Sequence, residues 1–189
     1  YSNSFGEKCN DNWLTDGCYY NSFDDFNFGN TFDSNSKHNN FLSWCYGNEA
    51  GSGFYENSLG TQCYSNTFGT ISTNNNLGNS SSGNKFGENC CFNTLGQFCS
   101  NNKFGDKCWR NTFANVCHDN AFKANCENNS LGNNCNNNKF GNWCCGDVLD
   151  NECTHIELAN AYTGTDKKVQ NNNFSSGSAY IYVKVTDDN

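Results

Sequence analysis

Apolar residues return at every ninth position along most of the chain. From Asn3 the sequence divides without insertion or deletion into NSFGEKCND, NWLTDGCYY, NSFDDFNFG and onward to NKFGNWCCG and DVLDNECTH, seventeen units spanning residues 3–155. The consensus is N-x-[FL]-G-x-x-C-x-x. Asn opens sixteen of the units, with Asp147 in the last, and Phe or Leu holds the third position in all but one. A fixed short period means that one structural solution is stacked again and again.

Nine residues are too few for a helix–turn–helix unit. Gly at the fourth position and Asn throughout disfavour a continuous helix. The pattern predicts an all-β chain, a β-solenoid (a parallel β-helix or β-roll). Its short extended runs are separated by tight corners where Gly and Asn take positive φ at low cost. Phe/Leu and Cys stand four residues apart and fall on the same, inward side of an extended run. Cys to the next Phe or Leu is an odd step of five, so a corner lies between them, around the Asn. The unit NEAGSGFYE fits this assignment: Ala50 replaces the usual Phe while Phe54 replaces the usual Cys, a volume-conserving exchange between two core positions. Asn in a vertical column predicts amide ladders at the corners.

From Phe68 to Leu149 the third position nearly alternates Phe and Leu, with one lapse at Phe113, and Lys85, Lys103 and Lys139 fall in the same alternate set. This super-period predicts two units per coil, about eight and a half coils and roughly 40 Å of length at the strand spacing. Three units per coil, a triangular prism, is the alternative. Beyond residue 155 the register breaks. Residues 1–155 read as the solenoid, and 156–189 as a C-terminal β cap or the start of a next module. A strand is expected over Ala179–Val185, after a polar stretch around Asn171–Ser178.

Composition changes this picture in three ways. The formal charge of −8, with no basic cluster, argues against nucleic-acid binding by phosphate neutralisation. No run approaches the roughly 18 apolar residues of a spanning helix, so no membrane insertion is expected. A start at Tyr1 without Met, and without a signal peptide, points to a processed or excised segment.

The 14 cysteines follow the repeat, twelve of them at the seventh position. Spacing of nine is not the short spacing of metal-ligand sets. A buried column of small, soft residues is one reading and disulfides between coils are the other. Cys91 and Cys145 follow an inward cysteine directly and should face outward as the reactive thiols. His38, His118 and His155 are scattered, and Asp24–Asp25 and Asp187–Asp188 are the acidic doublets. No calcium-type Asp column and no nucleophile, P-loop or dinucleotide motif stands in the sequence. No cofactor is expected.

The eighth position carries Tyr19, Phe28, Tyr46, Tyr55 and Tyr64, with Trp109 continuing the series. All six are expected to point outward, as are Trp44 and Trp143 at the sixth position. Outward aromatics either stack on sugar rings or bury against a partner, or they pack on one another as surface ladders.

The units NSLGTQCYS, NKFGENCCF and NKFGDKCWR resemble Asn/Phe/Gly/Cys nonapeptide-repeat regions of tail-fibre or adhesin-like proteins of gut Bacteroidetes and their phages. The resemblance implies an extracellular appendage, on a virion or a cell surface, assembled with other copies of the chain or other fibre subunits. The expected role is a non-enzymatic rod or spacer that contributes to attachment to a host or its surface glycan. The alternatives are a carbohydrate-binding adhesin and a tailspike-type polysaccharide depolymerase.

Overall fold

The computed structural model describes residues 2–141, 146–159, 173–174 and 179–184. Every element in it is a strand. Strands β1 (Ser4–Phe5) to β17 (Val148–Leu149) occupy the second and third positions of the seventeen units. Odd-numbered strands line up in one ten-stranded sheet and even-numbered strands in the other. From β1 to β16 each pairs in parallel with the strand 18 residues on, as Ser22–Phe23 does with Asn40–Phe41. Two units therefore make one coil, and the chain is a β-solenoid with two opposed sheets.

Hydrogen-bond direction explains the corners. At positions two, four and eight the N–H donates to the coil before, as from Ser58 to Asn39 O (3.0 Å), Gly60 to Phe41 O (2.8 Å) and Tyr55 to Ser36 O (3.1 Å). At positions six and nine it donates to the coil after, as from Ile71 to Glu88 O (2.9 Å) and Asn74 to Cys91 O (3.2 Å). The turn-about of the N–H goes with left-handed backbone at both positions, whatever residue stands there: Trp44 (φ 64°), Ile71 (57°) and Val116 (61°) all adopt it. This corrects the expectation that Gly and Asn would reserve the positive-φ sites. A left-handed residue with a Cβ is unfavourable by roughly 1–2 kcal/mol, and here the inter-coil hydrogen bond offsets that cost.

The fourth-position glycines serve a different need. They lack positive φ. Coils approach so closely there that a Cβ on Gly69 would lie 2.6 Å from the carbonyl carbon of Gly51. The same closeness lets cysteine thiols donate to fourth-position carbonyls of the preceding coil, as from Cys108 to Gly87 O at 3.3 Å.

Phe/Leu and Cys are inward as the pattern predicts: Phe23, Leu77, Leu95, Cys99 and Cys117 are buried in one continuous core. Along a sheet the phenyl rings stack, Phe86 on Phe104 at 4.4 Å and 2°. Across the coil they meet edge to face, Phe104 against Phe113 at 5.5 Å and 66°. Both arrangements suit the quadrupole of the ring. In the irregular unit the ring of Phe54 sits between those of Phe32 (5.9 Å) and Phe68 (5.7 Å) and fills the gap beside Ala50.

The twelve described cysteines are free thiols. Ser36, Ser72 and Ser81 stand at the same buried position, where the Ser36 and Ser72 hydroxyls donate to the fourth-position carbonyls of Asp33 and Gly69. Asn27 and Phe54 are the larger residues of that position.

Two asparagine ladders run the length of the coils, one per sheet. In each rung the backbone N–H and the side-chain amide donate to one oxygen of the next Asn, as from Asn39 to Asn57 Oδ1 at 2.8 and 3.0 Å. The same amide also reaches a carbonyl of the coil before, as from Asn84 to Cys63 O at 3.2 Å. The buried amides are thereby satisfied, which is the condition for tolerating them in a core.

Past the last unit, β18 (Thr154–Ala159) pairs with β16 (Lys139–Phe140), β19 (Asn173–Phe174) with β17, and β20 (Ala179–Lys184) with β18. The expected C-terminal strand is thus present and adds to the even-numbered sheet. Trp143, the Cys144–Cys145 pair, Val185 and most of the polar stretch 171–178 lie outside the described residues. No helix of the described residues is long and apolar enough to cross a membrane.

Candidate functional site

The 18-residue register decides which outward side chains are neighbours. It splits the expected aromatic series in two. Phe28, Tyr46 and Tyr64 form one row of adjoining coils, and Tyr19, Lys37 and Tyr55 form a second on the other alternate set of units. Trp109 belongs to the second column but follows it only after Thr73 and Cys91.

In the first row the rings lie on one another, Phe28 on Tyr46 at 4.9 Å and Tyr46 on Tyr64 at 5.7 Å. Phe26 and Trp44, at the sixth position of the same units, stack at 5.9 Å. A ring in the middle of such a row has both faces covered and offers solvent its edge. In the second row the Lys37 ammonium lies 5.2 Å from the centre of the Tyr19 ring. The hydroxyls of Tyr19 and Tyr55 fold back over Gly17 and Gly53, within 3.3 and 3.0 Å of where a Cβ would stand. Tyr20 and His38 stack at 4.8 Å, and His38 Nε2 meets Glu56 at 3.1 Å.

Trp109 is placed differently. Its column neighbours are Cys91 and Glu127, neither of them a ring. From the ninth-position side, the Arg110 guanidinium sits 5.2 Å from the indole centre and 5.5 Å from the Phe92 ring. Phe92 itself is tilted 58° to the indole at 5.3 Å. On the sixth-position side an open groove of about 470 Å³ is lined by Trp109 with Asn89, Lys107, Asn125 and Glu127. The ion pairs His38–Glu56 and His118–Asp119 engage none of the four polar side chains of the groove.

No family model matches the chain, and no curated protein or solved structure does so either.

Cys91 departs from its expected outward, reactive role. It is buried at 8% exposure, and burial raises its thiol pKa. The core thiols divide in direction. Cys135 is pushed up to about 11, first by its hydrogen bond with the Cys117 thiol, with the Cys153 thiol opposing and burial adding. Hydrogen bonds with the Cys63, Cys108 and Cys117 thiols instead hold Cys45, Cys90 and Cys99 below the ordinary value, against the opposing effect of burial. No group of three or more His, Cys, Asp or Glu among the described residues is arranged to hold a metal ion.

Sequence reasoning found Trp109 but missed the groove around it. The signal was present: Asn89, Lys107 and Asn125 share the sixth position in alternate units, as Trp109 and Glu127 share the eighth. Reading by nines hides this, and reading by eighteens brings the five together.

Proposed function

We propose that this chain is a structural rod or spacer of an extracellular fibre, non-enzymatic, assembled with other copies of itself or with other fibre subunits. The observation that carries the reading is the unbroken 18-residue register, in which Asn ladders and parallel strand pairing repeat from coil to coil. Each coil is bonded only to its neighbours, so length is added without altering the cross-section. The aromatic rows add stacking along the same axis, each exposed pair worth about 0.5–1.5 kcal/mol. The repeat's resemblance to tail-fibre and adhesin-like regions points to a virion appendage or cell surface as the location.

Negative-stain electron microscopy of the assembled particle or filament tests it. The reading expects a thin rod of constant width joined to a larger body, decorated by an antibody against this chain. Compact, unassembled monomers would overturn it.

A further inference from the structure

We infer that the groove at Trp109 is a saccharide-binding subsite that takes a neutral hexopyranose unit of an extended glycan. The inference narrows the glycan expectation from six aromatic positions to one, and it stands or falls independently of the fibre reading.

A sugar ring stacks its C–H-rich face on an aromatic face, so it needs a ring whose face is not already covered. Tyr46 has both faces covered, by Phe28 and Tyr64, and each of these two gives one face to it. Of the two faces of Trp109 the Arg110 guanidinium lies over one, 5.2 Å from the ring centre. No ring lies above or below it in its column, and the indole borders the groove at 39% exposure. Arg110 and Phe92 brace the indole from the ninth-position side. That bracing fixes its orientation before any ligand arrives, which lowers the ordering cost of binding.

The groove's polar groups suit hydroxyls. Asn89 and Asn125 each offer a donor and an acceptor, Lys107 donates and Glu127 accepts. They come from adjoining coils of one rigid stack, three at the sixth position and one at the eighth, so the backbone sets their spacing. Within the groove lining Lys107 and Glu127 balance each other in charge, so the lining itself calls for no charged sugar; the Arg110 guanidinium stands outside it, held on the Trp109 and Phe92 rings. The groove is open to solvent. Its volume falls within the range of small-ligand sites.

Isothermal titration calorimetry of the full chain with maltohexaose, cellohexaose, mannohexaose and galactohexaose tests the inference. At least one should bind with a Kd of ~1 mM or tighter. Trp109→Ala should weaken that binding at least tenfold, and Tyr46→Ala should leave it within twofold. Should Trp109→Ala alter the circular dichroism spectrum, the Lys107→Ala/Asn125→Ala double variant decides, with a loss of at least threefold expected. Failure of all four sugars to bind overturns the inference. So does equal loss with Tyr46→Ala, or unchanged affinity in the deciding variant.

Discussion

Asn129 donates both its backbone N–H and its side-chain amide to one carboxylate oxygen of Asp147, at 2.9 and 3.0 Å. Asp147 is the rung where a carboxyl replaces an amide in an otherwise asparagine ladder. Elsewhere the second side-chain atom of the rung is an amide nitrogen that donates to the carbonyl 21 residues earlier, as Asn138 does to Cys117. A carboxylate has no proton to give there, and a protonated carboxyl does. Burial accordingly pushes the Asp147 pKa up to about 7, against the lowering effect of the two Asn129 bonds.

The pH dependence follows from that direction. Between about pH 4 and pH 7 the folded chain holds a proton that the unfolded chain has released, so stability falls as pH rises through this window. The deficit is complete above it, at ~4 kcal/mol for a shift of this size. Asp147→Asn should restore the missing donor, remove that slope and raise stability at pH 8 by ~2–4 kcal/mol. Urea unfolding at pH 4 and pH 8 checks both. An Asn variant with the same slope would place its cause elsewhere.

Phe54 and Ala50 are coupled through one space. Phe54→Cys alone should cost ~3–5 kcal/mol as a buried ring is lost, and Ala50→Phe alone ~1–3 kcal/mol by overpacking. Together they rebuild the consensus unit and should return close to the parent. A double-mutant cycle in denaturant reads the coupling, and simple additivity would contradict the shared-space account.

The ladder makes a sharper comparison between neighbours in sequence. Asn75 is buried and bonded to both adjoining coils, whereas Asn74 is an exposed left-handed corner. Asn75→Ala leaves buried donors on Asn57 unmet and should cost ~3 kcal/mol or more. Asn74→Ala should cost only ~1 kcal/mol, for the positive φ. Comparable losses in thermal melts would deny the ladder its role.

Thiol accessibility follows the coil positions. Cys9 and Cys18, in the first coil, are partly exposed, and the other ten described cysteines are buried. A brief pulse of iodoacetamide under native conditions, mapped by mass spectrometry, should mark Cys9 and Cys18 and spare Cys91 until denaturant is added. Early labelling of Cys91 would contradict its burial.

The period, the inward Phe/Leu and Cys, the Phe54 exchange and the Asn ladders were legible because each depends on side-chain volume or polarity repeating in register. The corners were not. Their left-handed backbone falls on Trp44, Ile71 and Val116 as readily as on Asn, because N–H direction between coils dictates it and residue identity hardly does. The role of Gly69 was hidden for a related reason, since its need arises from a backbone 18 residues earlier. Outward aromatics were legible as outward, but a spacing of nine merged Phe28 and Tyr19 into one series that the coil places in separate columns.

The ladders, the aromatic rows and the groove all follow from two units completing one coil. Thr31 and Lys139 stand in one column, linked strand to strand through Glu49, Thr67, Lys85, Lys103 and Ala121. They are six coils apart, about 29 Å at the ~4.8 Å strand spacing. Spin labels placed at these two positions through unnatural amino acids, with the cysteines left untouched, allow the separation to be measured by double electron–electron resonance. A single narrow distance near 29 Å is predicted. A peak near ~19 Å, the separation for three units per coil at the same strand spacing, or a broad distribution, would contradict it.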